Sequence, residues 1–383
     1  MIVLSINPYH PNVSAAIAKD NRITAFGKEG DFLGLEHCSS FPLNSILFCL
    51  QKADVKLDDI DYILIPKSPF VHPLERFIVF IKTNFRSGKK RIRSNLRLIS
   101  IKKDIAKAVK QDTKAKVIFV EHHKAHLADA YYNSGFDNAL VFSCDGSGDM
   151  TTTMWGMGKG KDINVKGRIK YPHSLGMLYT AFTQALGFTE YGSEYRTTEL
   201  SSKGMPFYVD IIRKIIHIKK NGKFALDMSY FDIFKKGVVL AVDEGRPILN
   251  RLYSDKLYRL LSNIKNRHDI AASLQNVVEE VILNLLNKLR KKYRQNNVCL
   301  SGGIFLNKPL CERIIKSNML DNVYVSKEPA DAGTAVGALF YFYNMILKEK
   351  LKYEDSIYRP VFLSGSSDEL SAPDGSSNTP CRI

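Results

Sequence analysis

One pattern of apolar segments occurs twice along the chain, and this repetition constrains the fold more than any other feature of the sequence. Each copy begins with three short apolar runs separated by turns, which predict three strands, and continues with alternating helical and strand-like segments. The strands predicted to open the two copies are Ile2 to Ile6, Ser14 to Ala18 and Ile23 to Phe26, and then Ala139 to Ser143, Thr151 to Gly156 and Ile163 to Ile169. The sequence therefore predicts a duplicated α/β fold.

The later segments complete both copies. The predicted helices cover residues 43–52, 123–133, 174–186, 306–317 and 332–347, and the predicted later strands cover residues 61–66, 116–120, 298–300 and 323–325. Duplication of such a unit is typical of the actin-like ATPase (ribonuclease H-like) fold, which has two lobes and an interlobe cleft where ligands bind at the strand ends. We predict a first lobe over residues 1–135 and a second over 136–349 with a mostly helical insertion at about 205–295. A disordered linker stub or tail is predicted over 350–383.

Composition limits the class of protein. Hydrophobic residues make up 45% of the 383 residues and charged residues 25%, which is typical of a soluble globular protein. The chain contains no run of eighteen apolar residues and no secretory signal pattern, so neither a membrane partner nor secretion is expected. The six cysteines form no C-x-x-C pair, and reduced thiols in a cytoplasmic protein are expected.

Positive charge is concentrated in one segment. The net charge is +16, and residues 82–110 contain eleven Lys or Arg and one acidic residue, Asp104. Such a segment can attract nucleic acid, an acidic lipid surface or an anionic small molecule, or it can be a solvated surface. Because no aromatic interleaving or nucleic-acid module accompanies the charge, a solvated surface is favoured and a nucleic-acid partner is not expected.

Glycine-rich turns follow a predicted strand in the second copy at two places. Asp145 to Asp149 (DGSGD) follows the first strand, and Ser301 to Gly303 (SGG) lies between a strand and a helix. Glycines let the backbone approach a phosphate, and free N–H groups at a helix start favour an anion. Each turn alone is also compatible with a hairpin or a tight strand–helix connection. Together they favour a nucleotide-binding cleft.

A pair of histidines opens the helix predicted after residue 120. His122 and His126 are four residues apart, so a helix places both imidazoles on one face, where they suit a metal ion that has a further ligand. Histidines that cap a helix or line a packed groove are the alternative. Asp331, at the start of the last predicted helix, is a candidate third ligand or an ordinary N-cap.

These motifs together resemble one family. The motifs that carry the resemblance are VEHHKAH at 120–126, DGSGD at 145–149, PHSLG at 172–176, LSGGIFLN at 300–307, DAGTAVGA at 331–338 and the opening INPYH at 6–10. As an ordered set they closely resemble the O-carbamoyltransferases of nodulation-factor and antibiotic biosynthesis over roughly residues 1–345. The resemblance implies an actin-like transfer domain that moves a carbamoyl group from carbamoyl adenylate, made from carbamoyl phosphate and ATP, to a hydroxyl of a glycan or secondary metabolite.

The resemblance also implies roles for individual residues. His122, His126 and Asp331 would be catalytic and would hold a metal, Fe²⁺ or another divalent ion, that binds the adenylate phosphate. The residues implied to line the nucleotide site are Asp145, Gly146, Ser147, Gly148, Asp149, Ser301, Gly302, Gly303 and Asn307. His10 and Arg196 would contact the substrate.

The chain departs from the family pattern in three respects. The family's C-terminal domain, similar to threonylcarbamoyl-adenylate synthases, is expected to be missing, so the adenylate would come from a separate synthase protein. Near residue 30 the family has a basic pair, of which His37 is the clear counterpart. In the segment at 194–204, Arg196 replaces a lysine and Glu199 replaces a glycine. These departures keep two alternatives open, an actin-like sugar kinase and a truncated remnant that binds nucleotide without catalysing transfer.

Overall fold

The computed structural model describes residues 1–83, 96–238 and 240–353. Its first five strands are β1 (Ile2–Asn7), β2 (Ser14–Lys19), β3 (Arg22–Lys28), β4 (Tyr62–Ile65) and β5 (Lys116–Phe119). They form one sheet in the order β3-β2-β1-β4-β5. The strands β1, β2 and β3 pair antiparallel, whereas β4 and β5 extend the sheet by parallel pairing. The turn between β2 and β3 has left-handed backbone at both Asp20 and Asn21, as a two-residue hairpin turn requires.

A second five-stranded sheet repeats this arrangement. It is built from β6 (Asn138–Gly148), β7 (Thr151–Lys159), β8 (Asp162–Lys170), β13 (Asn297–Ser301) and β14 (Asn322–Val325) in the order β14-β13-β6-β7-β8. Again three strands pair antiparallel in succession and two later strands add in parallel. Both sheets therefore share one topology, and the prediction of a duplicated α/β fold of the actin-like class is confirmed.

Besides residues 96–99, which are helical as well, twelve α-helices have both ends within the described residues. They are α1 (Glu29–Leu33), α2 (Leu43–Ala53), α3 (Pro73–Lys82), α4 (Ile101–Val109), α5 (His122–Ser134), α6 (Leu175–Ala185), α7 (Glu194–Ser201), α8 (Val209–Arg213), α9 (Asp255–Ser262), α10 (Arg267–Tyr293), α11 (Lys308–Lys316) and α12 (Thr334–Phe340). The predicted final helix, 332–347, is not α-helical throughout. A 3₁₀ turn precedes α12, and a π-helix, Tyr341–Leu347, follows it.

Three apolar clusters divide the molecule into five layers. One cluster joins the first sheet to α2 and α4, through residues such as Ile46 and Ile101. Another joins the second sheet to α6 and α10, through residues such as Leu178 and Leu285. The third lies between the two sheets and contains α5 and α12. Each of these mixed sheets is therefore covered by helices on both faces.

The two central helices relate the sheets to each other. Helix α5 ends the first copy in the sequence, yet it packs on β6, β7 and β13 of the second sheet as well as on α12. Helix α12 ends the second copy, yet it packs on β1, β2 and β4. The exchange brings the start of α5 and the turn before α12 together at the cleft between the sheets. The residue boundary between the lobes stays a prediction.

The insertion differs in part from its prediction. Helices α8, α9 and α10 lie within it, but so do two hairpins, β9 (Ile216–Ile218) with β10 (Phe224–Leu226) and β11 (Leu240–Asp243) with β12 (Arg246–Leu249). The expectation of a mostly helical segment was wrong at residues 216–249. Asn221-Gly222 and Glu244-Gly245 form the turns, with positive φ at both glycines, and these pairs are the local signals for hairpins.

Part of two sequence predictions falls outside the described residues. The basic segment 82–110 is described except for residues 84–95, and the predicted tail is described only to residue 353. Within the described residues, no helix is both long and apolar enough to span a bilayer.

Candidate metal centre between two cavities

The first component of the site is the end of strand β6. Pairing with β7 is regular to Cys144, then shifts, and resumes at Gly148, so the intervening residues bulge from the ladder. A bulge redirects side chains, and here it turns Asp145 toward the cleft. The Asp145 Oδ1 atom accepts a hydrogen bond of 3.0 Å from the Gly303 N–H, which leaves Oδ2 directed toward the histidines.

The second component is the first turn of α5, which carries both histidines. Asp149 fixes the start of this helix, because its Oδ2 accepts hydrogen bonds from the backbone N–H groups of His122 (2.9 Å) and Ser68 (2.8 Å). The absence of a side chain at Gly148 leaves room for the His122 ring, since a Cβ there would lie 1.9 Å from the ring. His122 and His126 are both buried.

The third component is the turn that carries Asp331 in front of α12. Two buried side chains of the first sheet hold this turn. Asn7 Nδ2 donates to the Asp331 carbonyl at 3.1 Å, and Ser14 Oγ donates to the Ala332 carbonyl at 2.8 Å. The position of the Asp331 carboxylate is thus determined by strands more than 300 residues away in sequence.

These components bring two imidazoles and two carboxylates together. The ligand atoms of His122, His126, Asp145 and Asp331 all lie within 4.8 Å of one another. The two Nε2 atoms are 3.1 Å apart, and Asp331 Oδ1 lies 3.2 Å from that of His122 and 3.4 Å from that of His126. The Asp145 Oδ2 atom is 3.5 Å from His122 Nε2 and 4.0 Å from His126 Nε2.

The remaining ring nitrogens fix both histidines in one tautomer. The Nδ1–H of His122 donates to the Pro66 carbonyl at 3.3 Å. The Nδ1 of His126 lies 3.0 Å from Ser301 Oγ, and because that hydroxyl donates to the Pro329 carbonyl, it accepts from Nδ1–H. The lone pair of each imidazole is therefore on Nε2, at the centre of the cluster. Hydrogen bonds of this kind orient histidine ligands toward a metal.

A divalent metal fits this cluster on two observations. Donors bonded to one ion at about 2.1 Å lie about 3.0–3.4 Å from each other, close to the separations seen here. The buried Asp331 Oδ1 makes no hydrogen bond within the described residues, although two nitrogens lie near it, and such an atom requires a cation or another partner. Nitrogen and oxygen donors in this proportion suit Zn²⁺, Fe²⁺ or Mn²⁺.

Electrostatics at the cluster favour a positive charge. Burial lowers the pKa of His122, but the adjacent carboxylates of Asp145 and Asp331 outweigh it and raise that pKa to about 10. Burial raises the pKa of Asp331, but the neighbouring His10 and the two cluster histidines hold it well below its usual range. The carboxylates that stabilise an imidazolium would stabilise a bound metal ion for the same Coulombic reason.

Two cavities meet at this cluster. The larger, of about 590 Å³, is bordered on the first lobe by His10, Lys67, Arg76 and Arg97. On the second lobe it is bordered by apolar side chains, Val238, Leu240, Val242, Leu249 and Leu252. The smaller, of about 340 Å³, is bordered by glycines and by Asn307, the N-cap of α11. We call them the basic cavity and the glycine cavity. Residues that border both are Asp145, Gly146, Thr180, Tyr191, Glu194 and Asp331.

The structure places the residues predicted for nucleotide binding in different situations. Those that border the glycine cavity are Asp145, Gly146, Gly303 and Asn307. Ser147, Gly148 and Asp149 border the basic cavity. The Asp149 carboxylate is already bound by three protein donors, including Arg76. Ser301 is buried behind His126, and a Cβ on Gly302 would lie 2.1 Å from the Cys144 carbonyl oxygen.

The two residues predicted for substrate contact are far from equivalent. His10 borders the basic cavity, and its Nδ1 lies 2.6 Å from Asp331 Oδ2. Arg196 borders neither cavity; it is partly exposed and pairs with Glu190 at 3.3 Å. The structure therefore does not bring Arg196 to the cluster.

Sequence reasoning missed several residues that border the site. Asp145 was predicted for the nucleotide, whereas it lies among the metal-binding candidates. Lys67, Arg76 and Arg97 were not singled out, and only the overall basic charge near Arg97 pointed to them. Their separate places in the chain carry no common motif that could have signalled a shared cavity.

Asp129, one turn beyond His126 on α5, leads to a prediction about stability. Burial raises its pKa to about 7 in the folded protein, where Ser326 and Asn133 donate hydrogen bonds to it. Because this pKa exceeds the unfolded value of about 3.9, the contribution of the group to stability is fully present below about pH 4 and is lost as pH rises through about 7. Asp129→Asn is expected to be more stable than the parent protein by about 1–3 kcal/mol at pH 8.

Urea unfolding at pH 5 and pH 8 would measure this difference. The advantage of the Asp129→Asn variant should shrink at the lower pH, because the parent carboxyl is then largely protonated. Asp58→Asn, at an exposed position, serves as the control and should change stability little at either pH. An equal effect of Asp129→Asn at both pH values would contradict the prediction.

Sequence comparison identifies the family of this site. A family model described as "Carbamoyltransferase N-terminus" matches residues 3–340. The chain belongs to this family. An uncharacterized protein of Synechocystis sp. is 32% identical over 380 residues, which are 95% of this chain and 60% of that protein. Nodulation protein NolNO of Sinorhizobium fredii is 24% identical over 342 residues, 88% of this chain and 47% of that protein. The chain thus spans about half the length of these relatives.

Solved structures show only a distant likeness. Full-length HypF, in a phosphate- and nucleotide-bound form, is 18% identical with a TM-score of 0.45, covering 94% of this chain and 47% of that one. Component A of the (R)-2-hydroxyglutaryl-CoA dehydratase of Acidaminococcus fermentans is 13% identical with a TM-score of 0.44, covering 89% and 97%. Likeness at this level has no bearing on the function. The predicted membership of a carbamoyltransferase family is confirmed by the family match.

Proposed function

We propose that this chain transfers a carbamoyl group from carbamoyl adenylate to a hydroxyl of a glycan or other small-molecule acceptor, with the help of a divalent metal. The observation that carries the proposal is the cluster of His122, His126, Asp145 and Asp331, whose ligand atoms lie within 4.8 Å of one another at the junction of two cavities. One cavity is suited to the donor and the other to the acceptor. Membership of the carbamoyltransferase N-terminus family supports the reaction class.

The four cluster residues would hold the metal, which we expect to be Fe²⁺ or another divalent ion. When bound, it would supply a positive charge that stabilises the developing negative charge of the adenylate phosphate and the carbamoyl oxygen. The chain's own residues keep the two Nε2 lone pairs directed inward and hold Asp331 in place by Asn7 and Ser14. Such prior orientation avoids a reorganisation cost during the reaction.

The glycine cavity is the proposed nucleotide site. It is bordered by Gly146, Gly176, Gly192 and Gly303, and a Cβ at Gly176 or Gly192 would collide with the backbone or with a side chain. Helix α11 begins beside it, with Asn307 as its N-cap. Backbone that lacks side chains, close to a helix start, is a favourable environment for a phosphate. The adenylate phosphate would then lie next to the cluster.

His10 is the proposed acceptor of the hydroxyl proton. Its Nδ1 contacts Asp331 Oδ2 at 2.6 Å and the Pro11 carbonyl at 3.0 Å, so Nε2 is the nitrogen left to act as a base at the basic cavity. The acceptor oxygen would form a bond to the carbamoyl carbon, and the bond from that carbon to the phosphate oxygen would break. AMP would leave, and the proton taken by His10 would pass to solvent.

Loading and transfer assays test the proposal. The anaerobically purified protein is expected to bind about one equivalent of Fe²⁺ and to bind AMP, and removing the metal with a chelator should lower its melting temperature. Transfer should require carbamoyl adenylate, supplied directly or by a separate synthase domain with ATP and carbamoyl phosphate. Carbamoylated product is then measured by mass spectrometry with a panel of glycans.

The alternatives give different results in the same assays. An actin-like sugar kinase would phosphorylate a sugar from ATP without carbamoyl phosphate and would have no use for His122 and His126. A catalytically inactive remnant would bind AMP and metal, yet fail to transfer when given the adenylate. The absence of both metal and AMP binding would overturn the proposed function.

A further inference from the structure

The basic cavity contains positive charge that the proposed transfer step does not use. Three cationic side chains from separate segments of the first lobe border it: Lys67, Arg76 and Arg97. Arg76 is engaged within the protein, because it donates to the Ser68 and Val71 carbonyls and to the buried Asp149 carboxylate. Arg97 is different, and its contacts decide what the cavity can bind.

Protein contacts orient the guanidinium of Arg97 but leave part of it available to a ligand. It stacks on the Tyr9 ring, with Cζ 3.7 Å from the ring centroid. Its ion pair with Asp104 is long, 3.8 Å, and runs through Nε, while that carboxylate also accepts a 2.6 Å hydrogen bond from the Tyr9 hydroxyl. The Arg97 side chain is 59% exposed, so its contacts with Tyr9 and Asp104 leave part of the guanidinium open to the cavity. A stacked guanidinium with an accessible N–H edge suits a planar or tetrahedral anion.

The opposite wall of the same cavity is apolar. Val238 borders it, together with Leu240, Val242 and Leu249 of the hairpin β11–β12. The hairpin tip crosses to the first lobe, where the Gly245 carbonyl accepts a 3.0 Å hydrogen bond from the Ser39 N–H. The cavity therefore has a cationic wall, an apolar wall that spans the cleft, and the cluster carboxylates with His10 at one end.

We infer that the basic cavity binds an acceptor that carries an anionic group, a phosphate or a carboxylate, which Arg97 holds while the reacting hydroxyl lies at His10. The inference rests on the proposed function and deepens it, because it names the chemical class of the acceptor. A neutral sugar would leave the exposed Arg97 guanidinium bound only to water on that side, whereas an anionic group would form a charge-assisted pair with it. The apolar wall accommodates the less polar face of a sugar ring or an attached apolar group.

The adenylate is the competing occupant of the cationic wall. The glycine cavity offers it close backbone approach and lies on the other side of Asp145 and Asp331. The residues that form the two walls of the basic cavity do not border the glycine cavity. They are Arg97, from residues 96–99, and the apolar side chains of the insertion. The two cavities thus provide separate places for donor and acceptor, and the test distinguishes them.

The test compares three probes on the full chain loaded with Fe²⁺ and AMP under anaerobic conditions. N-acetylglucosamine is neutral, N-acetylglucosamine 6-phosphate bears a phosphate, and glucuronic acid bears a carboxylate. Calorimetry is expected to show at least about tenfold tighter binding of one or both anionic probes than of the neutral sugar, with the preference weakening at high salt. The two anionic probes show which group the cavity prefers.

The Arg97→Gln variant tests whether Arg97 causes the preference for an anionic probe. The substitution is expected to reduce the affinity for the preferred anionic probe about tenfold and to leave the AMP affinity within about twofold. Lys107→Gln, which removes one exposed charge on α4 outside both cavities, is the matched control and should change neither affinity. Melting temperatures of the variants show whether each is folded.

The outcomes separate the two proposals. Equal affinity for all three probes in a chain that binds metal and AMP would overturn the anionic acceptor and leave the proposed transfer intact. A tenfold loss of AMP affinity in Arg97→Gln would place the adenylate on the cationic wall and would also overturn the inference. A chain that binds neither metal nor AMP would contradict the proposed function itself.

Discussion

Replacing His126 by alanine is expected to abolish tight metal binding and to reduce carbamoyl transfer by about 1,000-fold or more. His126 supplies an Nε2 atom 3.1 Å from that of His122 and 3.4 Å from Asp331 Oδ1, so its removal leaves the cluster with one imidazole. Loss of one ligand typically weakens a metal site severely, and loss of the charge that stabilises a transition state costs several kcal/mol. Metal analysis after gel filtration and a transfer assay with supplied carbamoyl adenylate measure the two effects.

The control for this substitution is His217→Ala. His217 is exposed on β9 and borders neither cavity, so its removal should change neither metal content nor transfer rate. Because His126 is buried against Ser301, the variant's melting temperature must be compared with that of the metal-free parent protein. Retention of one equivalent of metal with near-normal transfer in folded His126→Ala would remove this residue from the centre.

Replacing Gly302 by alanine is expected to destabilise the fold by about 4 kcal/mol or more. The residue has a φ of +103°, which disfavours any side chain, and a Cβ there would lie 2.1 Å from the Cys144 carbonyl oxygen. The colliding atom belongs to the backbone of β6, so relief requires separation of β6 from the end of β13, the two strands that support Asp145 and Ser301. Such a collision is among the few causes of very large effects from a single substitution.

Gly135→Ala is the matched comparison, because it isolates the conformational part of this cost. Gly135 has a φ of +71° at the end of α5, and a Cβ there would meet no atom within 4 Å. A loss of only about 1 kcal/mol is expected. Urea unfolding measures both variants, and recovery of Gly302→Ala only as insoluble protein beside soluble Gly135→Ala would agree with the expectation. Similar small losses of stability in both variants would contradict the prediction, because β6 and β13 would then separate around Gly302 at little cost.

The residues of the candidate centre show how much of the site the local sequence predicts. The spacing of His122 and His126 predicted one helix face, and α5 presents both imidazoles to the same point. Asp331 was predicted before the last helix, and it stands in the turn that precedes α12. Arg196 was predicted at the substrate through its position in a motif alone, and its side chain lies outside both cavities.

Asp145 shows what local sequence leaves open. Its place after a strand suggested a phosphate-binding turn, but the bulge in β6 and the hydrogen bond from Gly303 direct Oδ2 to the histidines. Neither influence is contained in the DGSGD motif, because the partner strand β7 and the turn after β13 supply them. The hairpin β11–β12 was missed for another reason: its turn pair, Glu244-Gly245, lies in a segment whose flanking helices dominated the pattern.

The sequence by itself determined the duplicated strand pattern, the spacing of the two histidines and the glycine-rich turns, because these depend on neighbours within a few residues. The tertiary structure alone decided that residues 122, 126, 145 and 331 meet, and that Lys67, Arg76 and Arg97 face the hairpin across one cavity. The parallel placement of β13 beside β6 and the packing of α12 on the first sheet cause this convergence. Both are contacts between segments more than 100 residues apart, which no local periodicity specifies.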